Sequence, residues 1–372
     1  MDIKQELQRE LFFSKTIRVY HFLFALFIVL AYISSGSDLF LLPHSIFGAI
    51  VLLVVFLRLI WFIAGEKGAK LNSFDLNFSS LKSYTLHYFN FKNTKPRNPA
   101  ASFAAITMWI LAIVSVVSGF IFIGAKYGSG LFGGLYSSDF DIHTIKEIHE
   151  LASNFLMIVA GIHVVGVIVE NFIKKTNIAK TMFDGKLHSD VQLEQPNQIH
   201  NSIILSGTMG ILIIGFGMYI FINPKMPLFD SSANYINYKL VAPTMTQECT
   251  ECHMFYPPNL TNQKTQLEIL KNLPNHYGTD ASLDDATLVT ITQETMNLAP
   301  IESRFRFDKE TFLTNNRSIT NTERWKHDHE ELGENWFKEN KIKKTSCKEC
   351  HTRIENGSIT PYELNKYSRL LW

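Results

Sequence analysis

Cysteine is scarce in this sequence: the chain of 372 residues has four, and all four lie in two short motifs. No cysteine is left over, which excludes an ordinary disulfide framework. An excess of one charge is also lacking, because 35 Lys and Arg residues nearly balance 34 Asp and Glu residues. The resulting net charge of +1 lacks the excess of positive charge that is typical of nucleic-acid-binding proteins, so we expect no nucleic-acid partner.

The sequence also lacks several signatures of catalysis and processing. It contains neither a glycine-rich nucleotide loop nor a hydrolase triad, and we predict no catalytic residue. No small-residue cleavage site follows the first apolar run. We therefore expect that run to stay in the protein as a membrane span and not to be removed as a signal peptide.

Long apolar runs fill the chain as far as residue 222. A membrane-spanning helix needs about 20 predominantly apolar residues. The runs that qualify are residues 19–37, 39–57 (resuming after Arg58 as far as residue 64), 98–125, 151–169 and 203–222. Since a soluble core of this size could not hide five such runs, we predict an all-α fold with five spans.

Basic residues in the short loops predict the orientation of the spans. Residues 1–18, 66–97 and 171–200 together carry 14 Lys and Arg residues, whereas the alternate loops carry only Lys126. We therefore expect a cytoplasmic N-terminal segment over residues 1–16 and a transmembrane domain over residues 17–223. The remaining residues, 224–372, should form a small, mostly helical domain outside, with one amphipathic helix at 282–298 capped by Ser or Asp.

Four histidines lie in or at the edges of the predicted spans, where an ionisable residue is costly and usually marks function. They are His21, His44, His149 and His163. Any one of them could simply form a hydrogen bond to a neighbouring helix. The last two, however, are fourteen residues apart on one span, so they face the same way about 21 Å apart. This spacing suits one helix that serves two stacked haems on opposite sides of the bilayer.

The direction of each span suggests how these histidines pair. The first span runs outward and the second inward, so His21 lies near the cytoplasmic face and His44 near the outer face. The fourth span runs inward, with His149 outside and His163 deeper. We therefore predict an outer haem b between His44 and His149 and an inner haem b between His21 and His163. Two imidazoles on one iron suit electron transfer and not oxygen binding.

The four cysteines form two C-x-x-C-H motifs, which are typical of covalent haem c attachment. These are Cys249, Cys252 and His253, and then Cys347, Cys350 and His351. A thioredoxin-like motif would need a strand–helix context that is missing here, and a zinc site would place the second pair some 15–20 residues on. Because the two copies also lie on the predicted outer side, we expect two c haems. Candidates for their distal ligands are His276, His327, His329, Met245, Met254 and Met296.

Residues 15–190 resemble the bacterial di-haem cytochrome b family, which includes the cytochrome b subunits of nickel–iron hydrogenases. The segments that carry the resemblance include Arg18-Val-Tyr-His21, His44-Ser-Ile-Phe-Gly48, Arg58-Leu-Ile-Trp61, Asn98-Pro99, and His149 with His163. The resemblance implies a four-helix bundle in the bacterial cytoplasmic membrane that exchanges electrons with quinone. One departure is Arg97, where the family often has His. The fifth span is then a tether helix, either packed on the bundle through its glycines or anchored only in lipid.

Residues 242–360 are similar to the periplasmic di-haem cytochrome c domain. The segments Leu273-Pro-Asn-His276 and Trp325-Lys-His-Asp-His329 carry this similarity, together with both C-x-x-C-H motifs. The resemblance implies that His276 and His329 are the distal ligands, and His327 remains the competitor of His329. Bis-histidine ligation predicts lower reduction potentials than Met/His ligation.

These patterns favour an electron-transfer protein that links the quinone pool to periplasmic redox partners. We prefer quinol oxidation with electrons delivered outward, and the reverse direction is the close alternative. A second hypothesis is a membrane anchor subunit of a larger periplasmic oxidoreductase such as a hydrogenase. A haem enzyme that handles oxygen or superoxide is a third, which full bis-histidine ligation disfavours.

Overall fold

The part of the chain that the structure describes is mostly helical. The structure is a computed structural model and describes residues 10–36, 40–65, 69–91, 97–137, 141–176, 178–187, 203–223, 228–229, 235–301 and 318–359. The chain divides into two compact units. One comprises Met1–Phe122 and Asp141–Asn223, and the other comprises Ile123–Phe140 and Pro224–Trp372.

Seven described helices precede residue 223. They are α1 Lys15–Ile33, α2 Leu41–Ala64, α3 Phe78–Leu86, α4 Pro99–Tyr127, α5 Ile142–Phe172, α6 Ile178–Asp184 and α7 Ile203–Ile222. Five of them (α1, α2, α4, α5 and α7) are long and apolar enough to cross a membrane. The predicted all-α fold with five spans is therefore confirmed.

The helix boundaries differ from the predicted spans mainly at the N-terminal ends. Helix α1 begins four residues before residue 19, where Ser14 Oγ accepts a hydrogen bond from the Ile17 N–H at 3.3 Å. Helix α5 begins nine residues before residue 151, where Asp141 accepts from the N–H groups of His143 at 3.0 Å and Thr144 at 3.1 Å. Hydropathy marks only the apolar part of a helix, whereas the capping residue sets its start.

Helices α1, α2 and α7 pack on one another. The Tyr20 hydroxyl of α1 donates to Met209 Sδ of α7 at 3.2 Å. Gly217 of α7 lies so close to α2 that an added Cβ would be 2.5 Å from Cδ1 of Ile50. The fifth span therefore packs on the bundle, and a glycine permits the close approach.

A pair of short strands accompanies the bundle, and the sequence did not predict it. Strands β1 Glu10–Leu11 and β2 Lys186–Leu187 pair antiparallel. Phe12 and Phe13, which follow β1, are buried in a cluster with α1 and α6. The Arg97 guanidinium lies 4.8 Å from the ring centroid of Phe13 and 4.3 Å from that of Phe74. Arg97 is thus a cation–π packing residue at this end of the bundle.

The C-terminal unit is built from short helices around small apolar clusters. Its described helices after residue 235 are α8 Tyr238–Val241, α9 Pro243–Cys249, α10 Gln263–Lys271, α11 Asp285–Leu298, α12 Glu323–Asp328 and α13 Gly333–Glu339. Helix α11 corresponds to the predicted amphipathic helix, and its cap is Asp284, which accepts from the Thr287 N–H at 3.0 Å. The largest cluster contains Tyr238, Ala242, Met245, Phe255 and Ile291. Because these apolar clusters are small, we expect contacts with haem to complete the core of this unit.

Candidate haem-binding sites

The structure brings His44 of α2 and His149 of α5 together, with their ring centroids 5.9 Å apart and their ring planes at 83° to each other. His44 Nδ1 lies 2.7 Å from the Ala31 carbonyl oxygen, and His149 Nδ1 lies 2.7 Å from that of Ser115. A carbonyl can only accept, so each Nδ1 carries the proton and each Nε2 keeps its lone pair. Both rings are therefore oriented and in the tautomer that binds a metal.

The spacing of these rings fits an iron between them. Bonds between a metal and an imidazole nitrogen are about 2 Å long, which places the centroids of two opposed rings on the order of 6 Å apart. The observed 5.9 Å agrees with that distance. The Ser115 hydroxyl also lies 2.5 Å from that of Ser153, which ties α4 to α5 beside the pair.

Gly119 of α4 makes room for the His149 ring, and sequence reasoning missed it. A Cβ added at this glycine would lie 3.0 Å from both Cε1 and Nδ1 of His149, closer than side chains normally pack. An isolated glycine inside an apolar helix is the only sequence signal for such an approach. Gly119 therefore forms part of the cradle around the outer candidate site.

Replacement of Gly119 by valine is expected to remove the outer haem b and leave the other haems bound. The added branches would displace the His149 ring, while the helix itself is not weakened, because valine has a higher helix propensity than glycine. The b-to-c haem ratio from pyridine haemochrome spectra measures the result. Gly207→Val in α7 is the matched control, because nothing lies within 4 Å of a Cβ added there. An unchanged ratio in Gly119→Val would contradict this role.

The second membrane pair joins α1 to α5. His21 of α1 and His163 of α5 are close enough to interact electrostatically. His21 Nδ1 is buried and has no hydrogen-bond partner among the described residues. A buried polar atom without a partner is unusual in a folded protein and points to a missing neighbour. That observation is compatible with an inner haem at this position.

The first C-x-x-C-H motif brings His253 opposite His276. Their ring centroids are 6.1 Å apart, and His253 Nδ1 lies 2.6 Å from the Met254 carbonyl oxygen. His276 is held by a tight turn in which its N–H donates to the Thr279 carbonyl at 2.8 Å. The following Tyr277 has a left-handed backbone with a φ of 51°. Burial lowers the pKa of His276, and His253 lowers it further, which keeps the imidazole neutral.

The second motif brings His351 opposite His329, with ring centroids 6.2 Å apart. His329 Nδ1 lies 2.8 Å from the Trp325 carbonyl oxygen, and the His329 ring stacks on that of Trp325 at 4.2 Å. Burial lowers the pKa of His351 to about 4, so this ring is neutral, as a metal ligand must be. His327 instead points outward, with a side chain 68% exposed. Of the two candidates, the structure places His329 at the motif.

None of the four cysteines forms a disulfide, so both pairs are available for attachment to haem. Burial raises the pKa of Cys249 to about 11 and that of Cys347 to about 11. Both thiols are therefore protonated and unreactive towards disulfide exchange at neutral pH. Buried, protonated thiols of this kind disfavour a role in thiol–disulfide redox catalysis.

Tyr256 links the two motifs, and sequence reasoning did not identify it. Its ring centroid lies 5.1 Å from that of His253, and its hydroxyl donates to the Thr345 carbonyl two residues before Cys347. Met254, Leu260 and Ile354 form a buried cluster around this connection. One apolar cluster thus holds both C-x-x-C-H motifs, so the two candidate c sites are neighbours.

The remaining histidines lie outside these pairs. His143 has a side chain 71% exposed, and His87 is exposed at the end of α3. Neither residue belongs to one of the four histidine pairs. Within the described ranges, no group of three or more His, Cys, Asp or Glu side chains could hold a metal ion without haem.

Each of the two parts of the chain matches a known protein family. Residues 13–185 match the family model for prokaryotic cytochrome b561, and residues 245–359 match that for dihaem cytochrome c. This chain is a membrane electron-transfer cytochrome. Its cytochrome b561-type part and its dihaem cytochrome c part imply haem b and haem c as cofactors. Five apolar helices and the b561-type part make it a multi-pass protein of the inner membrane, in contact with lipid and with redox partners.

One solved structure shares sequence with the c-type part of this cytochrome. It is titled "Crystal structure of DHC purified from Rhodobacter sphaeroides" and is 28% identical. The match covers 32% of this chain and 96% of that chain, with a TM-score of 0.26. No curated protein matches this cytochrome.

Proposed function

We propose that this cytochrome carries electrons between membrane quinone and a periplasmic redox partner through two b haems and two c haems. The observation that carries the proposal is the spacing of three histidine pairs, at 5.9, 6.1 and 6.2 Å between ring centroids. Each value is close to the separation of two imidazoles on one iron. The b561-type and dihaem c families support the two haem types.

The proposed ligands form one pair for each haem. In the membrane, His44 pairs with His149 and His21 with His163. In the C-terminal domain, His253 pairs with His276 and His351 with His329, while the four motif cysteines attach those two haems covalently. Haem supplies one-electron exchange when it is bound.

The protein's own residues prepare these sites in three ways. Backbone carbonyls hold His44, His149, His253 and His329 through Nδ1, which fixes each ring and its tautomer. Burial lowers the pKa of His276, His329 and His351, which keeps these three imidazoles neutral, as iron binding requires. Two imidazoles on each iron would leave no open position, so these histidine pairs would favour electron transfer and not oxygen binding.

We place the N-terminus in the cytoplasm and residues 224–372 in the periplasm, with the transmembrane domain over residues 17–223. The distribution of Lys and Arg among the loops supports this orientation. Covalent c haems commonly serve soluble periplasmic partners, and on that ground we propose that quinol is oxidised and electrons move outward.

Anaerobic mixing of the purified cytochrome with a menaquinol analogue tests this function. We expect the b absorption bands to be reduced first and the c bands to follow, because the quinone site lies in the membrane domain. Stopped-flow spectra at separate b and c wavelengths give the order. If quinol reduces neither haem type while a periplasmic reductant reduces c and then b, electrons move inward. Absence of c bands would refute covalent attachment.

A membrane anchor in a larger periplasmic oxidoreductase complex is the second candidate function. Apolar side chains on the surface of the C-terminal unit favour it, since a partner could cover them. Leu240 is 77% exposed, Val289 59% and Ile301 81%. Co-purification of a stoichiometric second polypeptide would support the anchor, and a protein that isolates alone with full quinol activity would refute it.

A further inference from the structure

A polar cluster joins the last turn of α5 to α3 in the membrane unit, and none of the haem assignments uses it. The Tyr84 hydroxyl donates to Glu170 Oε1 at 2.5 Å, and Lys174 Nζ lies 3.5 Å from the same oxygen. Lys174 Nζ also lies 3.7 Å from the ring centroid of Tyr88. The side chains of Glu170 and Lys174 are only 12% and 18% exposed.

Stability alone does not account for this cluster. A carboxylate at the end of an apolar helix loses hydration, and its pairing with a lysine only offsets that cost. Apolar residues of similar volume would often be at least as stable in such a place. In addition, a charged residue in a membrane helix is a functional candidate by default. Glu170 is therefore a candidate functional residue, whose function would depend on its charge or on its proton.

The position of Glu170 connects it to the inner candidate haem site. It follows His163 by seven residues on α5, which is two helical turns and about 10 Å along the axis. Seven residues at 3.6 per turn bring the two side chains to nearly the same face of the helix. A molecule held between them would contact both the carboxylate and the inner site.

Apolar side chains lie beside the cluster on α3 and just after it. Phe78 is 74% exposed, Leu86 67% and Phe89 74%. In a membrane protein, exposed aromatic and aliphatic side chains next to a span face lipid. A lipophilic molecule in the bilayer would therefore lie close to the cluster that contains Glu170.

The phenols of the cluster stay protonated at physiological pH. Burial and then the hydrogen bond to Glu170 raise the pKa of Tyr84. Burial and then the charge of Glu170 also raise the pKa of Tyr88. Tyr84 is therefore a donor to Glu170 at physiological pH, and the Glu170 carboxylate is the acceptor of the cluster.

We propose that Glu170 is the catalytic proton acceptor of the quinol site, at the end of α5 that carries His163. The inference rests on the proposed quinone-linked function. Oxidation of one hydroquinone breaks two O–H bonds and releases two protons and two electrons. The two electrons would pass to the b haems that the two membrane histidine pairs would hold, one electron to each. The Glu170 carboxylate takes each proton in turn as a carboxylic acid and passes it to water; quinone reduction runs the same steps backwards.

Glu170→Gln in the full-length cytochrome tests this site, because the amide keeps the volume but cannot take up a proton. We expect quinol-driven reduction of the b haems to slow by roughly 100-fold, the usual contribution of a general base. Reduction by dithionite and the haem content should stay unchanged. Glu147→Gln is the matched control on α5, since Glu147 is 61% exposed and pairs with His143 at 3.8 Å. Its quinol rate should equal that of the unmodified protein.

The outcomes separate the site from the wider function. If the unmodified protein is reduced by quinol and Glu170→Gln is reduced equally fast, the site assignment is wrong and the function stands. If the unmodified protein neither is reduced by quinol nor, once reduced by dithionite, passes electrons to quinone, both are wrong. Should Glu170→Gln lose haem, Tyr84→Phe tests the same contact: a quinol rate lowered several-fold with unchanged dithionite reduction supports the site, and an unchanged quinol rate refutes it.

Discussion

His163→Leu is expected to remove one b haem, retain the other and abolish quinol-driven reduction of the c haems. Leucine has a similar volume but no nitrogen to ligate iron, so the inner site loses a ligand. The outer pair, His44 and His149, keeps both of its imidazoles and the carbonyl contacts that orient them. The b-to-c haem ratio and the b band after dithionite reduction measure the loss, and menaquinol-driven spectra measure the activity.

His143→Leu on the same helix is the control for this replacement. His143 has a side chain 71% exposed and belongs to no proposed pair, so its replacement should change neither haem content nor quinol activity. Loss of both b haems in His163→Leu, or of neither, would show that the histidines pair in another way.

Replacement of both Cys347 and Cys350 by alanine is expected to remove one covalent haem and destabilise the C-terminal domain. Both thioether bonds of the second site would be lost, and the cluster of Trp325 and Phe337 beside it is small. Because this domain has little apolar core of its own, the loss of one haem should lower its melting temperature markedly. Haem-stained denaturing gels count the covalent haem, and circular dichroism follows the melting.

The b haems of this double variant provide an internal control, since their sites lie in the other unit. His327→Ala provides a second one, because the exposed His327 does not face His351. We expect His327→Ala to retain both c haems, whereas His329→Ala should lose bis-histidine ligation at the second site. Two covalent haems in Cys347→Ala/Cys350→Ala would disprove the attachment at this motif.

Most of the fold could be predicted from the sequence because its signals are local. An uncharged run such as residues 203–222 predicts a span by length and composition alone, and α7 occupies that range. The families of both parts were also evident from short motifs, and the family comparisons confirm them. The starts of α1 and α5 were placed too late, because Ser14 and Asp141 cap those helices in polar sequence that hydropathy does not include.

The sequence alone therefore determined the five spans, the haem types and the set of candidate ligands, since each depends on residues close together in the chain. The tertiary structure decided which residues meet. It placed His329 and not His327 at His351, Gly119 against His149, and Tyr84 on Glu170. His327 lies on α12 with an exposed side chain, whereas His329 follows the last residue of α12 and stacks on Trp325, so only His329 faces the motif. Such contacts depend on how helices distant in sequence pack, and neither periodicity nor motif spacing encodes that packing.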